Sequence, residues 1–363
     1  MVPFDKKICS NLTPIAKIKS LASKLSITEE ELINISNSID KLWKPGKLLY
    51  KKNGDPRPTI NAKPQLKQLH EKIKNRLLKQ VDYPTYLLGG IADSASPRDY
   101  KRHAAIHSGK QILISEDIKD FFPNTSYDIV YNIWKYIFQC TPEVAEILTK
   151  ITILNGELPQ GWKTSGYLAN LALWDREPDL VEQLTKRGFT YSRFMDDITV
   201  SCKSKITKKQ MSYIISMIYG MLFSKGYTPK RSKHQIATSI NRMEVTGLTV
   251  NSKKPTLPNK NKIRSAVHLC ETKAKYDRTS NNYKTLWRQT SGKVGTHPNK
   301  GKKLRERLTA IKHYNFAVFT ESGLTFHAKF FKRPIYSYIT YTKMATLVTA
   351  NRIFFLDFLS VIP

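Results

Sequence analysis

A chain of 363 residues has ample surface to bury a sizeable core, as one large lobed domain or roughly two to three packed subdomains. Its 60 Lys and Arg stand against 29 Asp and Glu, and the formal net charge of +31 points to a polyanionic partner, nucleic acid before an anionic membrane. The membrane is the weaker reading: the N-terminal MVPFDKKICSNLTPIAKIKS has no uninterrupted apolar run, and ATLVTANRIFFLDFLSVIP is broken by Asn351, Arg352 and Asp357, so a soluble intracellular protein is expected. Cys9, Cys140, Cys202 and Cys270 are far apart and form no C-x-x-C pair, which suggests packing residues in a reducing compartment and neither a zinc site nor a disulfide framework.

In SITEEELINISNSIDKLW, Ser26 followed three residues later by Glu29 has the form of a capping box, predicting an amphipathic helix in a helical N-terminal extension, residues 1–44. LLYKKNGDPRPTI reads as a hairpin around NGDP with basic residues on its arms, and PQLKQLHEKIKNRLLKQ as a helix. KQILISEDIKDFFPNTS begins as a strand at Ile112, Leu113 and Ile114 and stops at Pro123, leaving Asp117 and Asp120 near its far end. ELPQGWKTSGYLANLALWDRE is a glycine-containing loop feeding a helix, residues 205–225 carry another helical pattern, and MEVTGLTVNSK another strand. From Asn251 to Ile311 the acids are Glu271, Asp277 and Glu306 among many Lys and Arg, with Tyr276, Tyr283 and Trp287 interspersed, a surface suited to phosphates and stacked bases. The aromatic FHAKFFKRPIYSYITYTKMATLV beyond it reads equally as core or partner surface.

YSRFMDDITVS, Tyr191 to Ser201, sets two adjacent carboxylates, Asp196 and Asp197, between alternating runs. Such neighbours repel, so the turn is either simply solvated or held by a cation. Hard divalent ions need clustered carboxylates, and Asp117 at the end of another strand would complete the cluster. Paired Mg²⁺ ions roughly 3.5–4 Å apart stabilise both attacking and leaving oxygens when a hydroxyl meets a triphosphate. Alone, Asp-Asp is an ordinary polar turn and Asp117 an ordinary strand end; together and in order they read as a metal site.

At this point the chain resembles a reverse transcriptase: SEDIKDFFPN is similar to that family's first palm motif, LPQGWKTSG to its nucleotide-binding loop, and FMDD to its Asp-Asp signature, over about residues 45–255. The resemblance implies an α+β right-hand polymerase fold, with fingers and an antiparallel palm over 45–254 and a basic helical thumb and RNA-binding region over 255–363. It implies catalytic metal ligation by Asp117, Asp196 and Asp197, the Ile118 carbonyl completing the sphere, with two Mg²⁺ ions and Mn²⁺ as a substitute. Phe122 would stack under the incoming sugar and exclude a 2′-hydroxyl, or else be core. Gln160 and Gly161 would line the nucleotide pocket, the glycine permitting close backbone approach, or else form a turn. Arg57 would grip the triphosphate with Lys51 or Lys52 as helpers, and Lys233 would protonate the leaving pyrophosphate.

The size, DIKDFFPNTS and VTGLTVN resemble the bacterial retron enzymes, in which a Val-Thr-Gly element helps recognise the enzyme's own structured RNA. That assigns RNA contacts to Val245, Thr246 and Gly247, with Lys260, Lys262, Lys273, Tyr283 and Trp287 behind them; a strand with a glycine bulge is the plain alternative. The implied partners are a structured non-coding RNA, its cDNA product, deoxynucleoside triphosphates and a separate effector protein in phage defence, in the bacterial cytoplasm. QGWKTSG departs from the family's usual QGAPTSP, which leaves open another defence-associated or intron-related reverse transcriptase. A scaffold with a vestigial site would have signalled itself by a lost carboxylate, and an endonuclease fits the ordered motifs poorly.

Overall fold

The computed structural model describes residue 8 and residues 10–46, 48–50, 56–57, 59–256, 260–276, 281–295, 306–307, 318–320 and 323–325. The chain divides into two compact units, Met1–Arg305 and Glu306–Pro363.

The first unit opens with two helices, α1 (Ile18–Leu25) and α2 (Glu29–Asn37), where one was expected. Ser26 takes a left-handed φ of 50° and ends α1, so the Ser26–Glu29 capping box does not form. Thr28 caps α2 instead, its hydroxyl accepting from the Glu31 amide at 3.0 Å. The chain turns there because α1 buries Leu21, Ala22 and Leu25 and α2 buries Leu32 and Ile35 in the same core.

Strands β1 (Trp43–Pro45), β2 (Leu49–Tyr50), β3 (Pro56–Arg57) and β4 (Ile60–Ala62) follow. The predicted hairpin is present: β2 pairs with β3, Leu49 opposite Arg57, and β1 pairs with β4. Its tip, with Lys51 and Lys52, lies outside the described residues. The predicted helix is α3 (Pro64–Arg76), started by proline at a position whose amide needs no partner.

Next come β5 (Leu87–Leu88), α4 (Tyr100–Ile106), β6 (Ile112–Asp117), α5 (Tyr127–Asn132), α6 (Pro142–Thr152), α7 (Ser165–Leu171), α8 (Glu177–Lys186), β7 (Thr190–Phe194), β8 (Asp197–Cys202), α9 (Lys208–Phe223) and β9 (Gln235–Thr238). The five longer-range strands form one sheet in the order β5-β7-β8-β6-β9, antiparallel except for β5 against β7. This is an α+β fold with an antiparallel-rich sheet.

Side chains alternate across a strand, and the two faces differ. Ile112, Ile114, Ile198, Val200 and Tyr191 join the main core with the helices. Leu113 points the other way, into a smaller cluster with Ala104, Ala237, Met243, Val245, Leu248 and Val250. By the same parity Asp117 and Asp197 stand on this second face.

The predicted strand MEVTGLTVNSK is in fact a hairpin, β10 (Glu244–Val245) and β11 (Leu248–Thr249), because Thr246 and Gly247 both take positive φ, 45° and 79°. Two consecutive positive φ values give a type I′ turn, the twist of which suits tightly joined antiparallel strands. Helices α10 (Lys260–Tyr276) and α11 (Asn281–Gly295) then pair, burying Val267, Cys270, Tyr283 and Thr290. Cys140, Cys202 and Cys270 are buried free thiols, as packing residues should be, while Cys9 lies outside the described residues. In the second unit, β12 (Val318–Thr320) and β13 (Gly323–Thr325) form a short antiparallel hairpin. No helix among the described residues is long and apolar enough to cross a membrane.

Candidate active site at the ends of the central strands

Strand β6 lies against β8 with Asp117 directly opposite Asp197, and β7 against β8 with Phe194 opposite Asp197. Met195 and Asp196 are therefore the two residues of the turn. Met195 adopts a φ of 57°, which carries the chain round so tightly that adjacent carboxylates end up beside Asp117. The Ile118 amide donates to the Asp196 carbonyl at 2.9 Å, tying the turn to the end of β6. The Lys230 amide donates to the Asp117 carbonyl at 2.7 Å, so both ends of the site are laced by backbone.

Asp117 is buried and Asp197 is partly exposed. Burial, then the charge of Asp196, pushes the Asp197 carboxyl up to about 7 against the pull of Lys233. Lys233 donates from its ammonium to Asp117 and stands 3.9 Å from Asp197 Oδ1. Burial disfavours that ammonium, yet Asp117, Asp197 and Asp196 outweigh it and raise its pKa. The residue expected at the leaving group thus sits on the carboxylates themselves. Its neighbour His234 reaches past it to the opposite face of β6, Nδ1 lying 2.6 Å from Oε1 of buried Glu116.

No group of three His, Cys, Asp or Glu side chains among the described residues is arranged to hold a metal ion outright. The chemistry of the donor set nevertheless fits divalent metal: three carboxylates, one driven toward protonation by burial and then by its neighbours, and an ammonium drawn onto a buried one of them. Positive charge is what this corner lacks.

The predicted nucleotide loop packs against the hairpin strands. Gly161 has a φ of 101°, and a Cβ there would lie 3.8 Å from the Ile60 carbonyl of β4, an ordinary contact. The backbone conformation by itself favours glycine here. Trp162, the departure from the family pattern, is buried with its ring 4.7 Å from His70 of α3. Lys163 and Lys74 both donate to Glu71, and their hydrogen bonds hold its carboxyl down to about 2. The bulky residue thus anchors the loop to α3. Gln160 is half-buried beside it, and Phe122 is half-buried on the core, edge-on to Phe121 at 6.0 Å.

Two RNA-contact expectations require correction. Val245 is 2% exposed and Tyr283 6%, so both side chains are packing residues. Thr246 and Gly247 remain at the surface of the β10–β11 turn, the Thr246 hydroxyl donating to the Tyr100 carbonyl at 3.1 Å. On the helix pair, Arg264, Lys273, Lys284 and Arg288 are exposed and Trp287 is half-buried; Lys260 and Lys262 belong to the first turn of α10. Arg57 is placed by its backbone on β3.

Sequence reasoning passed over the group that holds the Met195–Asp196 turn. Arg193, fully buried on β7, donates through Nε and Nη2 to the two Glu177 oxygens at 2.7 Å each. It also donates to the Met195 carbonyl at 2.9 Å and the Asn170 carbonyl at 3.0 Å, and its guanidinium faces the Phe121 ring at 5.5 Å. Tyr191 donates to Glu177 at 2.6 Å. On the other face, His107 bridges the hydroxyls of Ser192 and Ser201, each at 2.7 Å. The available signal was an arginine at an inward strand position.

Three carboxylates at the paired ends of antiparallel strands are the donor set that a nucleotidyl-transferring polymerase needs. Residues 49–268 match the reverse transcriptase (RNA-dependent DNA polymerase) family, and the chain belongs to it. It is 33% identical over 306 residues to the retron Se72 reverse transcriptase of Salmonella heidelberg (strain 579083-10), across 83% of this chain and 80% of that one. It is 30% identical over 327 residues to the retron Ec48 reverse transcriptase of Escherichia coli, across 85% and 78%. The chain is an RNA-directed DNA polymerase of the retron group.

Proposed function

We propose that this enzyme copies its own structured non-coding RNA into DNA, priming from a 2′-hydroxyl of that RNA and leaving single-stranded DNA joined to it. The reading is supported most by the opposed Asp117 and Asp197 with Asp196 in the intervening turn, together with the retron relatives. In a right-hand arrangement, the β2–β3 hairpin and α3 serve as fingers, the central sheet as palm and α10–α11 as thumb. Asp117, Asp196 and Asp197 would hold two Mg²⁺ ions, with Mn²⁺ as a substitute, and the ions supply the charge that draws a primer hydroxyl and a triphosphate into line.

The chain's own residues do the rest. Arg57, helped by Lys51 and Lys52, binds the triphosphate, for which a guanidinium's paired donors are suited. Gln160 and Gly161 line the base and sugar, and Phe122 excludes a 2′-hydroxyl. Lys233, released from Asp117, hands a proton to the departing pyrophosphate. Thr246 and Gly247 read the cognate RNA, and Lys260, Lys262, Lys273 and Trp287 hold its backbone and bases. Bound RNA that offers its own hydroxyl near Asp117 gains much of the rate by proximity alone. The product serves phage defence in the bacterial cytoplasm with a separate effector protein.

The test is to purify the nucleic acid bound to the protein, sequence it, and compare its mobility on a denaturing gel before and after ribonuclease and debranching enzyme. A shift on debranching, lost together with all DNA in the Asp196→Asn, Asp197→Asn variant while RNA remains bound, is expected. DNA primed on protein or on an ordinary 3′ end, with no branched ribonucleotide in nascent product, would reject the priming mechanism.

A further inference from the structure

At the opposite end of β7 and β8 from the carboxylates lies an open cavity of about 1250 Å³. Cys202, on its wall, is five residues along β8 from Asp197, about 17 Å at the usual strand rise. Its wall carries Arg102, Lys110, Arg187, Lys203, Lys205 and Lys209, and no Asp or Glu is among the described residues that line it. Lys110 is half-buried, donating to the Thr190 hydroxyl at 2.9 Å. Burial, then the charge of Lys203, lowers its pKa, as expected of cations gathered without an acid to balance them. Tyr213 is 46% exposed on the rim, and the Arg187 guanidinium lies over its ring at 5.4 Å.

The mechanism uses none of these groups. Some cations elsewhere in the fold have acidic partners, Lys150 with Glu146, Lys186 with Glu182 and Lys225 with Asp175, whereas no such partner among the described residues lines this wall. Six unbalanced cations round one concavity are a collecting field for anion. Their spread along an open groove suits successive phosphates of a strand better than one small anion, which needs convergent buried donors. An exposed tyrosine ring backed by arginine is a surface on which a base can stack.

We propose that this groove is a second nucleic-acid site, holding the phosphodiester backbone of a single strand at the end of the sheet remote from the carboxylates. The inference rests on the polymerase class of the enzyme and not on the priming mechanism proposed above, so either can fail alone.

The experiment compares the full-length protein with a Lys203→Glu, Lys205→Glu, Lys209→Glu variant and with a control of equal charge change, Lys17→Glu, Lys19→Glu, Lys67→Glu. Binding of a fluorescent 30-nucleotide oligo(U) RNA is measured over a salt series, and primer extension on a saturating short oligo(dT)–poly(rA) duplex is measured in parallel. We expect the groove variant to bind oligo(U) about tenfold more weakly, with a salt slope lower by about two for three lost phosphate contacts. Extension stays unchanged, and ultraviolet crosslinking of oligo(U) to the wild type maps to the Tyr213 peptide. Equal losses in the control would overturn the proposal, since net charge alone would then explain them. Unchanged oligo(U) binding, or a melting shift with inorganic phosphate that the groove variant loses while RNA binding persists, would overturn it in favour of a protein partner or a small-anion site.

Discussion

Arg193 occupies a position on β7 where a strand normally sends an apolar side chain into the core. A buried charge is tolerated only when paired and hydrogen-bonded, and removing one partner costs about 3–5 kcal/mol because the other is left uncompensated. Arg193→Met should therefore lower stability by about that amount, read as a drop in the urea midpoint, and Arg193→Met with Glu177→Leu should recover part of it. If the single and double variants are equally unstable, the pair is not what Arg193 contributes. Phe122 poses a smaller question at the same scale. Phe122 is only partly covered by the core, so Phe122→Ala should cost less stability than truncating a fully buried phenylalanine and should raise ribonucleotide incorporation relative to deoxynucleotide. An unchanged ratio in primer extension would make Phe122 ordinary packing.

At the scale of elements, the β10–β11 hairpin stands out because a β-branched residue holds a left-handed conformation. Thr246 at φ 45° is strained where Asn or Asp would be at ease. Strain of this kind, about 1–3 kcal/mol, persists where the surroundings demand it and often marks function. Thr246→Asn should raise the melting temperature, since the amide keeps a donor for the Tyr100 carbonyl, while reducing preference for the cognate RNA over random RNA. A variant that is more stable and equally selective would show that the turn only joins two strands. The loop at Gly161 illustrates the same logic with the opposite residue: the conformation there excludes side chains, so the sequence had to place glycine.

The whole molecule carries a pH dependence in its core. His70, His103 and His107 are buried, and burial lowers their pKa values, His70 to about 4 and His103 to about 3. The unfolded chain takes up protons below about 6.5 while the folded chain does not, so stability falls as pH drops from about 6.5 toward 4, by about 1.4 kcal/mol per pH unit for each histidine. Glu116 and Asp197, whose values are raised chiefly by burial, act in the opposite direction over part of this range. His103 isolates the effect. It stacks on Phe194 at 5.7 Å, and neither ring nitrogen has a hydrogen-bond partner among the described residues. His103→Phe should match wild type at pH 8 and exceed it at pH 5 in denaturant melts. Parallel stability curves for the two proteins would contradict the buried neutral state.

Local pattern carried a good part of this protein. The strand at Ile112, a turn at the Asp-Asp pair, which the structure sets one residue earlier at Met195 and Asp196, the helices at Pro64 and Lys208 and the basic excess were legible because periodicity, turn chemistry and net charge are properties of short stretches or of composition. The carboxylates were legible for the same reason, being adjacent or at a strand end. Other features were settled only when distant segments met. Val245 and Tyr283 looked like surface recognition residues until packing buried them, and Trp162 looked like a defect until His70 covered it. Arg193 with Glu177, sixteen residues apart, forms a site only because β7 and α8 share one core. The basic groove draws its lysines and arginines from α4, α8, β8 and the start of α9 with their adjoining loops, and no single stretch of chain displays it. Charge and period are written along the sequence, whereas which charges face one another depends on the three-dimensional path that hydrophobic burial selects.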